Sequence, residues 1–166
     1  MQPPLIITLK IDEPSQKFFT AQRTKYFPKH LNYLAAHITL FHKLPDVDQI
    51  NNTLNMLSKR TDFEMNITGL KKIGGGLAYM VDSPCLLQIH EEMQDHFSTM
   101  LIGKDKMKLW PHITVQNKVT AHKANVLYKQ LSETFIPFTV TAIGFSTWLY
   151  LQGPWEKKSD YLFQKS

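Results

Sequence analysis

His37-Ile38-Thr39-Leu40 and His112-Ile113-Thr114-Val115 repeat one pattern, His-Ile-Thr-aliphatic, 75 positions apart. Two imidazoles and two hydroxyls suit phosphodiester chemistry. A neutral histidine takes a proton from an attacking oxygen, a protonated one gives a proton to a leaving oxygen, and the ordinary histidine pKa lies near neutrality. A threonine hydroxyl can donate to a non-bridging phosphate oxygen and stabilise the charge that develops there. This scheme needs no metal. On a strand, residues i and i+2 share a face. Each motif therefore turns its His and Thr one way and its two hydrophobes the other, toward a core.

These groups act together only if the chain brings them together. Leu5–Ile11 is apolar and β-branched and reads as a buried strand. Asp12-Glu13-Pro14-Ser15 has the make-up of a helix start, and that helix is expected to run to about His30. His37–Leu44 reads as a strand ended by Pro45, and Val47 to Arg60 as an amphipathic helix. Phe63–Ile73 is a strand, Gly74-Gly75-Gly76 a turn, and the residues from Leu77 another strand. The order then restarts. A helix is expected from Ser83-Pro84 to about Leu101, then the second motif strand, a helix over Thr120 to Thr134, and strands from Phe138 onward. The tail after Gly153-Pro154 reads as an edge strand. The same offset of 75 carries Lys43 onto Lys118, Phe63 onto Phe138 and Gly69 onto Gly144. The expectation is one domain over 1–166 with an internal repeat, around 5–73 and 77–151. Two lobes related by a pseudo-twofold would bring both motifs to one cleft.

Other features are weighed against this. His96-Phe97-Ser98 also fits His-x-Ser, but it falls in a helix, where i and i+2 diverge. His42 is read as lying on the strand face opposite His37. No His-x₃-His, Cys pair or acidic cluster completes a zinc site, so metal and cofactor are expected to be none. The three glycines lack the Lys-Ser/Thr of a phosphate-binding loop. Candidate substrate-lining residues are Tyr26, Lys43, Lys108, Trp110, Lys118, Trp148 and Tyr150: lysines to steer phosphate, aromatics to stack on bases. Cys85 is read as a packing residue. With one cysteine in the chain, an internal disulfide is excluded and a cytoplasmic setting is favoured. The formal charge of +5 suits a phosphate-bearing partner but falls short of a duplex-DNA binder. No apolar run approaches a membrane span.

The doubled motif, "LIITLKID" at the start and "LYLQGPWE" near the end resemble the two-histidine phosphoesterase superfamily. Within it, they resemble the bacterial 2′-5′ RNA ligase family. The resemblance covers nearly the whole chain. It implies a bilobal α+β fold, with two antiparallel sheets facing a central cleft and helices outside. It also implies catalytic roles for His37, Thr39, His112 and Thr114. The implied activity is cleavage of 2′,3′-cyclic phosphodiesters, or making and breaking of 2′-5′ linkages in RNA. The expected substrates are RNA ends or small cyclic nucleotides, with no membrane, no obligate protein partner and a monomeric state. The rival expectation is a non-catalytic RNA- or nucleotide-binding module that uses the same cleft.

Overall fold

The computed structural model describes residues 2–166. It is an α+β fold of four helices and seven strands, in the order β1 (Leu5–Ile11), α1 (Glu13–Tyr26), β2 (Ile38–Leu44), α2 (Asp48–Leu57), β3 (Phe63–Ile73), β4 (Gly76–Asp82), α3 (Pro84–His96), β5 (His112–Gln116), α4 (Ala121–Thr134), β6 (Phe138–Tyr150) and β7 (Trp155–Leu162). All strand pairs are antiparallel. The order across the sheet is β2-β1-β6-β3-β4-β5, with β7 added on β6. It reads the same in reverse when β1, β2 and β3 are exchanged for β4, β5 and β6.

Two antiparallel arms meet along β6. Its first half, Phe138 to Ala142, pairs with β3, and its second half pairs with β1 on one side and β7 on the other. The arms are thus hydrogen-bonded into one continuous sheet. The change of partner falls at an irregularity opposite Lys10 and Ile11. Gly144 sits at this point, and a Cβ there would come within 2.5 Å of the Tyr161 carbonyl oxygen, so only glycine lets β7 approach. At the outer ends of the arms, β2 and β5 come into contact.

The helices close the core. Ile50, Leu54 and Leu57 of α2 and Leu86, Ile89 and Met93 of α3 are buried with Leu5, Ile7, Phe41 and Phe145 of the sheet. Phe19 of α1 is fully buried, 5.3 Å edge-on from Tyr79 and 6.0 Å stacked from Phe138. Asp12 caps α1. One carboxylate oxygen accepts from the Ser15 backbone and hydroxyl, the other from the Thr141 backbone N–H of β6. Ser83 caps α3 by accepting from the Leu86 N–H.

Some expected boundaries shift. α1 ends at Tyr26 and not near His30, because Pro28 forces the residue before it out of helical geometry; a 3-10 turn, Lys29–Leu31, follows. α3 ends at His96, and Phe97 turns into the core. Cys85 is exposed on the first turn of α3 and is not a packing residue. Among the described residues, no helix is long and apolar enough to cross a membrane.

Candidate active site

The two motifs arrive on matching strands. Ile38 and Ile113 are buried, as are Leu40 and Val115, so the alternate residues are turned away from the core. His37, Thr39, His112 and Thr114 all line one cavity of about 390 Å³. Each imidazole is held the same way. Nδ1–H of His37 donates to the Ala35 carbonyl at 2.8 Å, and Nδ1–H of His112 donates to the Trp110 carbonyl at 2.8 Å. This bond sets the tautomer and leaves Nε2 of each neutral ring as an acceptor. Neither threonine hydroxyl has a hydrogen-bond partner among the described residues, so both remain available as donors.

Aromatic rings flank the pair. Trp110 stacks on His112 at 4.2 Å and 21°, and Lys71 lies over the Trp110 ring at 5.0 Å. Trp155 stands 4.6 Å from the His37 ring, tilted by 49°. Burial pushes the His37 pKa down to about 4; the Ala35 bond opposes this, and the charges of Arg23, His112 and His42 add to it. Burial also lowers His112, opposed by the Trp110 bond and aided by His42 and Lys104.

Arg23 supports the site from behind. It is buried on α1, donates from Nε to Asn32 at 2.8 Å and from Nη1 to the Thr114 carbonyl at 3.4 Å, and stacks over Phe27 at 4.1 Å. Burial brings its pKa down to about 10.

The other candidate residues divide. Lys108 and Trp110 line the cavity with the two histidines. Trp148 lines a neighbouring cavity with His37 and Trp155, and its indole N–H donates to Thr8 at 2.9 Å. Lys43 and Tyr150 lie together in a further cavity bordered by Trp155. Tyr26 and Lys118 are not among the residues lining the histidine cavity. Tyr26 ends α1 beside Lys25. Lys118 occupies a left-handed turn position, φ 63°, after β5.

Three residues of the site escape a reading of the sequence. Trp155 lies in the LYLQGPWE segment that carries the resemblance but is not among the expected lining residues, and β7 meets His37 only through the fold. Arg23 looks like any helix-surface charge. His42 does not lie on the face expected for it: Ile7 and Thr8 are adjacent on β1, but their partners Phe41 and Thr39 are two apart on β2. That bulge at Leu40 buries both Leu40 and Phe41 and turns His42 into the cavity with His37 and His112. The Leu40 carbonyl accepts from Nε2 of buried His90 at 3.0 Å.

The fold is α+β, an antiparallel sheet that brings two histidines and two threonines to one cavity. The chain belongs to the 2′-5′ RNA ligase superfamily, whose family model matches residues 11–153. TT0787 of Thermus thermophilus has the same fold, with a TM-score of 0.67 at 14% identity over 98% of this chain and 99% of that one. E. coli LigT complexed with 3′-AMP gives 0.65 at 12% identity over 99% of each chain. A structure described as a phosphoesterase gives 0.63 at 11% identity over 99% of each. No curated protein sequence matches the chain significantly.

Proposed function

We propose that this protein is a metal-independent phosphodiesterase or ligase of nucleotides, acting on 2′,3′-cyclic phosphodiesters or 2′-5′ linkages at RNA ends. The observation that carries this reading is the identical presentation of His37 and His112. Each has Nδ1 tied to the carbonyl two residues before it, Nε2 free and a threonine two residues after it, and all four line one cavity. The matching halves of the sheet support a doubled half-domain, with β1–β3 and β4–β6 as the copies. The family to which the chain belongs, and the 3′-AMP held by LigT, support a nucleotide substrate.

In hydrolysis of a cyclic phosphate, Nε2 of His37 takes a proton from water. The water oxygen bonds to phosphorus, the ester P–O bond breaks, and the departing ribose oxygen takes a proton from Nε2 of His112. Burial, which brings the His37 pKa down to about 4, supports this direction, because that ring stays neutral and able to accept. Thr39 and Thr114 donate to the non-bridging oxygens. Ligation is the reverse, with the two roles exchanged.

The test is incubation with the four 2′,3′-cyclic mononucleotides and a 2′-5′ linked dinucleotide in excess chelator. Chelator-resistant turnover is expected, and the product, a 2′- or 3′-phosphate, identifies the bond broken. An inert protein that still binds the nucleotides would instead establish a binding module.

A further inference from the structure

The cleft holds a third histidine that the acid–base scheme does not use. Nδ1 of His42 meets Oδ1 of Asp105 at 3.1 Å. Asp105 comes from a 3-10 turn, Gly103–Lys106, and is only 2% exposed. Its carboxylate is held further by the backbone N–H of His42 at 2.9 and 3.1 Å and of Lys43 at 2.9 Å. The turn is itself fixed, because Gln94 donates to the carbonyls of Asp105 and Met107 at 3.0 and 2.9 Å. The His42 side chain nevertheless stays 44% exposed, and Nε2, across the ring from Asp105, has no partner among the described residues. A carboxylate that orients one imidazole nitrogen and leaves the other free makes a built binding group.

Its position is specific. His42, Lys104 and Asp105 wall both the cavity of His37 and His112 and an adjoining cavity of about 450 Å³ bounded by Lys43, Tyr150 and Trp155. Asp105 is the one carboxylate on either wall, and both its oxygens are occupied. Lys43, Lys104 and Lys108 have no carboxylate partner among the described residues. Among the described residues the junction therefore offers cationic donors and no free carboxylate, which selects an anion.

We propose that His42, held by Asp105 and carrying a proton on both ring nitrogens, donates from Nε2 to a second phosphate of the substrate, next to the one that reacts. The preferred ligand is then a nucleotide with two phosphate groups, its ribose and base lying toward the Tyr150–Trp155 cavity. This rests on the reading of the cleft as a nucleotide site, and it assigns the substrate class more narrowly.

The experiment is calorimetric titration at about pH 5.5, where an ordinary imidazole is protonated, of wild type, His42→Gln and Asp105→Asn with adenosine 3′-monophosphate and adenosine 3′,5′-bisphosphate. Wild type is expected to bind the bisphosphate about tenfold tighter, the scale of one charge-assisted hydrogen bond. In His42→Gln the ratio should fall to about one. Asp105→Asn should lower it too; if that variant does not fold, His42→Gln carries the test. Equal affinities in wild type, or a ratio that His42→Gln leaves intact, would overturn the proposal. Because binding is read and not turnover, the two readings separate. The expected ratio without hydrolysis of any cyclic phosphate sinks the enzyme and keeps the subsite. Hydrolysis without the ratio does the reverse, and failure to bind either ligand counts against both.

Discussion

The meeting of His37 and His112 in one cavity was legible because residue type and spacing mark them as a pair, and a period of two needs no long-range information. His42 was not, for a physical reason: a bulge changes the parity of a strand and leaves no mark in the pattern of apolar residues. Trp155 and Arg23 reach the site only through pairings between distant segments. At this scale, His37→Ala and His112→Ala should each lower kcat/KM by about 10²–10⁴-fold, the usual contribution of one acid–base group. Thr39→Val should cost about 10²-fold in kcat, because it removes a donor aimed at developing charge. Steady-state kinetics on the cyclic mononucleotide that is turned over checks both, and losses below about threefold would assign the groups a packing role.

Elements were legible where local chemistry decides them. Asp12 and Ser83, each near a proline, mark the starts of α1 and α3, and both cap as their residue types suggest. Helix ends were less legible, since Phe97 leaves α3 for the core under tertiary packing that periodicity does not encode. The long β6 was half visible. Gly144 was visible as the counterpart of Gly69 in the repeat, but its role in joining two arms depends on which strands flank it. Asp12 ties α1 to β6 as well as capping the helix, and its hydrogen bonds to Thr141 and Ser15 outweigh burial and keep its pKa below the ordinary value. Asp12→Ala should therefore destabilise the fold by about 1–2 kcal/mol, read as a lower urea midpoint at unchanged m-value. No change in midpoint would mean that water replaces these bonds without cost.

For the whole molecule, the α+β class and the doubled order of elements could be read from the chain. The merging of two arms into one sheet could not, because it depends on pairing between β3 and β6 across the halves. Three histidines also link the fold to pH. Burial lowers His37, His90 and His112 in the folded state, so below about 6.5 the unfolded chain binds more protons and gains on the folded one. Stability should be full above that pH and fall as pH drops. Asp12, Asp105 and Asp160, whose pKa values are lowered, add a second loss below their ordinary value of 3.8. Urea midpoints at about pH 7.5 and about pH 5 check the first loss; a midpoint that rises on acidification would contradict it.

The pairing of His37 and His112 across the cleft is tested most directly by the pH dependence of kcat/KM in excess chelator, for wild type beside the two alanine variants. With His37 neutral above about 4 and His112 protonated only below a value under 6.5, the wild-type profile should be a bell whose maximum lies between about 4 and 6.5. His37→Ala should lose the acid limb and His112→Ala the alkaline one, each at a much reduced rate. A wild-type profile flat across this range, or both variants within about tenfold of wild type and bell-shaped, would contradict acid–base catalysis by the pair.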